Sequence, residues 1–238
     1  EVDTISMILN ENVDHILCET QLAQSELKHM GIDANIVPIP TYHEFDVKPL
    51  PEKFSVGIFL TNKSDFDKYC MKETLSIVRS IPSITFNAYG DAASGINYPN
   101  LNLHGNIWGD KWKDFVYSNS AYLRLVRHDT RPMAGDEFLL AGRDFVTNIP
   151  IGFSEYIDTK KESKWDNFQI GLNDFNWSKT KKEIIKKILY LKKYPKPEEF
   201  RFLAHNSLSV LLNKGTYREK IYDMAKCPNP FKETSQVE

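Results

Sequence analysis

The sequence predicts an α/β protein, with a Rossmann-like parallel sheet, helices on both faces of that sheet and a helical C-terminal segment. Short apolar runs alternate with helix-like stretches from residue 14 to residue 148. The connections between these runs are long enough for helical crossovers, which give right-handed, parallel strand pairing. From Ser178 onward the apolar residues recur at helical spacing instead, so we expect the sheet to end before that point.

The first forty residues predict a strand, a helix and a second strand. Residues 14–19, DHILCE, form an apolar run, and Thr20 can cap a helix that Gly31 ends. The second strand covers residues 35–40, NIVPIP. Residues 41–53, TYHEFDVKPLPEK, contain two prolines and no periodicity, so they are predicted to form a linker at a domain boundary.

Residues 54–177 are predicted to form the main sheet domain. Its predicted strands cover residues 54–60, 83–90, 100–107, 121–126 and 144–148. Its predicted helices run from about Ser64 to Ser80, from Asp110 to Ser118, and onward from Gly135. Ligands of such sheets bind beyond the carboxyl ends of the strands, so the loops that follow the strands are the places to search for a site.

Residues 178–238 are predicted to form a helical segment of three helices, broken at YPKP and NKG. Ile184, Ile185, Ile188, Leu189 and Leu191 are predicted to form an apolar stripe along the first of these helices. The intervening lysines indicate either a solvated helix face or a nucleic-acid surface. Glu183 interrupts them and aromatic residues do not alternate with them, so the pattern favours the solvated face.

The composition is that of an ordinary folded protein. The chain has 238 residues, 41% of them hydrophobic, which allows one large domain or two small ones. Its 30 Lys and Arg residues nearly balance 32 Asp and Glu residues, so charge selects no partner. Three scattered cysteines without a CxxC motif argue against a disulfide framework and predict a cytoplasmic protein. Neither a membrane span nor a signal peptide is predicted.

Three loops that follow predicted strands carry polar residues: TNKSDFDK, YGDAASG and RHDTRPMAGDE. The third precedes a helix predicted to start near Ala134 or Gly135, whose unpaired N–H groups and positive dipole end would suit a diphosphate. Glu137 would then lie in the first turn. There its carboxylate either accepts both hydroxyls of a ribose or only supplies a favourable charge at the helix N-terminus.

The order of these pieces resembles the donor-binding half of glycosyltransferases with the two-domain B-type fold, particularly the large family 4 group. The resemblance covers residues 83–148 and lies in YGDA, NLNLHGNI, DKWKDFVY, AYLRLV, an acidic pair eight positions apart, and EFLLAGRDFV. The acidic pair is Asp129 and Glu137, where the first member is usually Glu. Arg124 and Asp129 match a subgroup with the pattern R-x-T-x-x-D-G, although Thr130 stands where that subgroup has Gly. Arg143 and Asp144 replace the usual Pro-Val of the group after Gly142.

The resemblance implies roles for the acidic and basic residues. Glu137 would hold the donor's ribose, and Asp129 would face the transferred sugar. Lys63 and Lys68 match the spacing of the basic pair that neutralises the donor diphosphate, or they are only exposed lysines at a helix start. His128 is either a catalytic residue or a loop histidine with partners in its own turn.

The remaining predicted donor-binding residues are arginines and positions of close backbone approach. Arg124 and Arg131 are alternative phosphate partners, because a guanidinium can donate two hydrogen bonds to one phosphate. Gly90 and Gly105 would let the backbone approach the nucleotide, although ordinary turns explain them equally well. Ala134 and Gly135 would supply the helix start. No cluster of residues with metal-ligand spacing is evident, so no metal and no cofactor besides the donor are expected.

The function implied by the resemblance is glycosyl transfer from a UDP- or GDP-sugar to an unknown acceptor, without a metal and with retention of configuration. Residues 1–40 would be a remnant of the acceptor-side domain. The rest of that domain would belong to a missing N-terminal region or to a partner chain. The alternative is a non-catalytic module, derived from the same fold, that binds a nucleotide or a protein.

Overall fold

The structure is a computed structural model that describes residues 13, 15–41, 43–61, 67–91, 96–127, 129, 131–148, 155–156 and 177–225. The chain divides into two compact units, the first formed by Glu1–Tyr42 with Ser207–Glu238 and the second by His43–Asn206. In the first unit, β1 (Leu17–Cys18) pairs in parallel with β2 (Asn35–Ile36) through α1 (Gln21–His29). The Thr20 hydroxyl caps α1 by accepting a hydrogen bond from the amide of Ala23 at 3.2 Å, as the sequence predicts.

The second unit contains a six-stranded sheet in which all neighbouring strands are parallel. Its strands are β3 (Ser55–Phe59), β4 (Thr85–Tyr89), β5 (Leu101–Leu103), β6 (Ala121–Arg124), β7 (Asp144–Thr147) and β8 (Glu155–Tyr156). Their order is β5-β4-β3-β6-β7-β8, which is the order of a doubly wound nucleotide-binding sheet. The order reverses between β3 and β6, so a crevice opens beyond the carboxyl ends of these two strands. The predicted fold class is confirmed.

Among the described residues, three helices lie in crossovers between strands of the sheet, and three more follow β8. They are α2 (Met71–Ser80), α3 (Asp110–Ser118), α4 (Met133–Leu140), α5 (Trp177–Lys193), α6 (Glu198–Leu211) and α7 (Lys214–Ala225). The three predicted C-terminal helices are therefore present as α5, α6 and α7. The two-residue strand β8 was not predicted, because so short a segment has no readable periodicity.

One predicted helix start is wrong, and a second is right to within one residue of the expected range. The helix expected from about Ser64 begins at Met71, because residues 67–70 form a turn and Cys70 takes a left-handed conformation with φ of 47°. The helix expected from Ala134 or Gly135 begins at Met133, because the extended backbone of Pro132 leads directly into it. The acidic residue of its first turn is Asp136, so Glu137 lies one position later than the prediction requires.

The two faces of the sheet have different partners. Aliphatic strand residues such as Val56, Ile58 and Leu123 form one buried cluster with residues of α2 and α5. The other face is aromatic and packs against α3 and α4: the ring centroid of Tyr122 lies 4.7 Å from that of Phe138.

Within the second unit, residues of the predicted linker pack against the sheet domain. Arg143 donates to the carbonyls of Lys48 at 2.8 Å and Pro49 at 3.0 Å. The Asp46 amide donates to the Tyr117 hydroxyl at 3.0 Å. We call the contact of Arg143 with the carbonyls of Lys48 and Pro49 the Arg143 strap. Burial, and then the neighbouring Arg201, lower the pKa of Arg143 to about 10, so the Arg143 side chain stays cationic at neutral pH. Arg143 stands where the family resemblance has Pro, and here it fixes residues 43–50 to the sheet domain. The predicted domain boundaries themselves remain predictions.

Candidate functional site

The loops at the carboxyl ends of β3 and β6 are tied to each other. The Arg127 amide donates to the carbonyl of Lys68 at 2.9 Å, and its guanidinium donates to the carbonyl of Asp67 at 2.9 Å. The Asn148 side chain, just beyond β7, accepts from the amide of Val126 and donates to its carbonyl. These bonds fix the backbone around the crevice.

Arg124 and Asp129 form an ion pair at the mouth of the crevice. Arg124 ends β6, and its Nη2 donates to Oδ2 of Asp129 at 2.9 Å. The guanidinium lies 5.0 Å from the ring centroid of Tyr69 and 5.5 Å from that of Phe59, within cation–π range. Burial lowers the pKa of Arg124, but the nearby oxygens of tyrosines and of Asp129 more than offset this, and the pKa is raised overall. The crevice therefore holds a permanent cation.

Arg131 and Asp136 form a second ion pair that is almost fully buried. Nε of Arg131 donates to Oδ2 of Asp136 at 2.6 Å, and the two side chains are 6% and 3% exposed. The pair ties the loop to the first turn of α4, where a carboxylate is favourable. Arg131, a predicted phosphate partner, is thus placed as an anchor of the helix start.

The start of α4 has no side-chain cap among the described residues. The Gly135 amide donates to the carbonyl of Pro132 at 2.7 Å, which closes the first turn. A Cβ on Gly135 would lie 2.2 Å from the ring of Phe145, so glycine lets α4 approach β7 closely. Met133 and Ala134 carry first-turn amides of the kind that bind anions at helix starts.

Glu137 is buried and holds two hydrogen-bond donors. Its residue surface is 6% exposed. Nε1 of Trp112 donates to Oε2 at 2.6 Å, and Nδ1 of His43 lies 3.0 Å from Oε1. Neither Trp112 nor His43 was predicted from the sequence, because they lie 25 and 94 positions away from Glu137 and no local pattern marks such a contact.

The two predicted glycines of close approach differ from each other. Gly90 has φ of +111°, and a Cβ there would lie 2.0 Å from the carbonyl oxygen of Leu60, so only glycine fits. Its amide donates to the carbonyl of Gly105 at 2.9 Å. Gly105 has φ of +68° with open space around a Cβ, which is what a turn requires. Both glycines thus shape the crevice edge through the backbone.

Lys68 is exposed beside the crevice, with Nζ 5.2 Å from the ring centroid of Tyr69. Lys63 and His128 lie outside the described residues, as does Thr130. Among the residues that the structure describes, no group of three or more His, Cys, Asp or Glu side chains could hold a metal ion. None of the described helices is both long and apolar enough to cross a membrane.

The structure resembles glycosyltransferases of known structure. The pneumococcal O-GlcNAc transferase GtfA, solved with UDP and GlcNAc, matches 93% of this chain with a TM-score of 0.63 and 14% sequence identity. HepE of Anabaena, solved with UDP and glucose, matches 94% with a TM-score of 0.64 and 12% identity. The sucrose-phosphate synthase of Thermosynechococcus elongatus matches 94% with a TM-score of 0.70 and 10% identity.

These likenesses confirm the fold that the sequence resemblance implied, that of one half of the two-domain B-type architecture. The chain spans 47%, 66% and 60% of the length of the three proteins, in the order given. No protein-family model matches the sequence. No curated protein matches it either.

Proposed function

We propose that the crevice between β3 and β6 binds a nucleoside diphosphate sugar and that the chain is the donor-binding half of a glycosyltransferase. The observation that carries this proposal is the reversal of strand order at the point where Arg124, Asp129 and the uncapped start of α4 come together. UDP in the structures of GtfA and HepE supports a nucleotide donor.

The proposed chemistry is stabilisation of a leaving diphosphate. The amides at the start of α4 and the cations Arg124 and Lys68, together with Lys63, would balance the charge that develops as the bond to the sugar breaks. Asp129 would face the transferred sugar, and His128 is the further catalytic candidate. We propose that the reaction needs no metal and retains the anomeric configuration.

The acceptor site is proposed to lie on another part of the assembly. The chain spans about half the length of GtfA, so the acceptor domain would come from a longer form of this protein or from a partner chain.

A second candidate function is a non-catalytic module of the same fold. Two residues that were predicted to bind the donor instead have partners inside the protein, which favours this candidate. Arg131 forms an ion pair with Asp136, and Glu137 accepts a hydrogen bond from Trp112. In such a module these contacts would serve only the stability of the fold, and the crevice would bind no donor.

Binding of UDP and GDP by wild-type protein distinguishes the two candidates. At a nucleotide concentration of 100 times Kd, linkage adds about 2.7 kcal/mol to the free energy of unfolding, so Tm should rise by roughly 5 °C or more. The donor-binding proposal expects such a rise with millimolar UDP or GDP. No rise with either nucleotide would leave the non-catalytic module as the function.

Two lysine variants locate the binding. Lys68 and Lys53 are both exposed, but Lys68 follows β3 at the crevice and Lys53 precedes β3 at the opposite edge of the sheet. Lys68→Gln should weaken nucleotide binding by about two- to fivefold, the size of an exposed charge interaction, with Lys53→Gln unchanged. Equal affinities of the two variants in calorimetry would place the diphosphate elsewhere.

A further inference from the structure

The Glu137 carboxylate is held by donors from two separate parts of the second unit. Trp112 belongs to α3, whereas His43 belongs to the segment that the Arg143 strap fixes to the sheet domain. The indole N–H reaches Oε2 at 2.6 Å and the imidazole Nδ1 reaches Oε1 at 3.0 Å. Each oxygen of the carboxylate therefore has one partner of its own.

Both donors pack against aromatic rings. The Trp112 ring is 6% exposed, stacks on Phe115 with an interplanar angle of 18°, and meets Tyr89 edge to face at 4.7 Å. The His43 ring meets the buried Phe45 edge to face at 6.2 Å. A side chain held on both oxygens by fixed partners has one orientation, so little freedom remains to be lost when a ligand binds.

The carboxylate keeps acceptor capacity after both contacts are made. An ionised carboxylate has about four lone-pair directions, of which the indole and the imidazole use two. The two that remain can accept from two adjacent hydroxyls, one on each oxygen. The side chain is 8% exposed, which leaves a narrow approach rather than an open surface.

We propose that Trp112 and His43 are positioning residues that orient Glu137 to accept the vicinal hydroxyls of the donor nucleotide's ribose. This assignment rests on the proposed function, because the diol it requires belongs to the nucleotide. It explains why a buried carboxylate on α4 carries one donor from α3 and one from the segment before β3. The two residues act through Glu137 and need no contact with the ligand.

The test compares UDP and GDP with their 2′,3′-dideoxy analogues by calorimetry on three variants. Trp112→Phe keeps an aromatic ring at this position and removes the N–H, His43→Ala removes the imidazole, and His43→Asn retains a donor near the position of Nδ1. We expect Trp112→Phe and His43→Ala to bind the ribonucleotide about tenfold more weakly than wild type, the size expected when a carboxylate loses a charged hydrogen bond. Their affinity for the dideoxy analogue should equal that of wild type, and His43→Asn should restore most of the lost binding.

A matched control is Trp177→Phe, because Trp177 packs against the aliphatic cluster on the other side of the sheet. It should leave both affinities unchanged. In addition, the Nε1–H NMR signal of Trp112 should shift on titration with the ribonucleotide and stay in place with the dideoxy analogue. That signal separates positioning of Glu137 from a purely structural role.

Four results would overturn the assignment. Equal losses for the ribonucleotide and its dideoxy analogue in Trp112→Phe would mean a general structural role. Tighter binding by His43→Ala would mean that His43 competes with the ribose. Wild-type protein that binds both forms equally would show that Glu137 does not hold the diol, although the proposed function would survive. No binding of either nucleotide by wild type would reject the proposed function as well.

Discussion

The two faces of the central sheet are built from different side chains and serve different purposes. On one face, aliphatic residues from β3, β4 and β6 meet Ile184 and Ile188 of α5 in a cluster whose strand residues carry no charge. On the other, Tyr89, Tyr122 and Phe138 form an aromatic layer that also holds polar groups, including the Tyr89–Tyr122 hydroxyl pair at 2.8 Å.

This difference shows how one sheet separates stability from recognition. Aliphatic packing is non-directional and tolerates no polar group without a partner. Aromatic side chains with N–H or O–H groups fill the same volume and also aim hydrogen bonds, as Trp112 does toward Glu137. We therefore expect the aliphatic face to dominate the free energy of unfolding and the aromatic face to determine ligand binding.

The largest expected effect is a cavity in the aliphatic face. Ile188 is fully buried, whereas its neighbour Leu189 is 41% exposed, so the two give a matched pair on α5. Ile188→Ala should lower the free energy of unfolding by about 2 to 5 kcal/mol in urea denaturation, and Leu189→Ala by less than about 0.5 kcal/mol. Nucleotide affinity of the folded variants should be that of wild type. A large loss of affinity in Ile188→Ala would show that the two faces are not separable.

A smaller effect is expected where α4 approaches β7. Gly135→Ala would place a Cβ 2.2 Å from the ring of Phe145 and should destabilise the fold by about 1 to 3 kcal/mol through overpacking. Phe145→Leu makes room, so Gly135→Ala should cost at least about 0.5 kcal/mol less in that background. Strictly additive losses in a double-mutant cycle would contradict the close approach.

The smallest effect concerns the hydroxyl pair of the aromatic face. Tyr89→Phe removes one partner of the hydrogen bond to Tyr122 and should lower the free energy of unfolding by about 0.5 to 1.5 kcal/mol. The exposed Tyr190 on α5 provides the control, since Tyr190→Phe removes a hydroxyl that contacts solvent. If Tyr89→Phe and Tyr190→Phe have the same free energy of unfolding, the buried hydroxyl pair adds nothing to stability.

The fold class and the order of the elements could be predicted because they depend on local patterns. Alternation of apolar runs with helical stretches predicted parallel crossovers, and Thr20 capped a helix as its side chain suggested. Helix starts were less predictable: Cys70 adopts a left-handed conformation that no residue pattern signals. The strand β8 was too short to show alternation.

The candidate site was predictable only in part, for the same reason. The loops after β3 and β6 could be identified from the sequence. The match of Arg124 and Asp129 to the sequence pattern of one family variant could be identified as well. Contacts between distant segments could not, since the bonds from Trp112 and His43 to Glu137 depend on how α3 and the segment before β3 pack. The Arg143 strap likewise replaces an expected Pro with a contact to residues nearly a hundred positions away.

Amide chemical-shift mapping with UDP or GDP tests the central claim most directly, because it reports where on the sheet the nucleotide binds. We predict that ¹H–¹⁵N signals of Arg124, Asp129 and Ala134, at the carboxyl edge, shift on titration. Signals of Lys53 and Ser120, at the amino edge of the same strands, should stay in place. Shifts confined to the amino edge, or no shifts with either nucleotide at millimolar concentration, would contradict a donor site at the crevice.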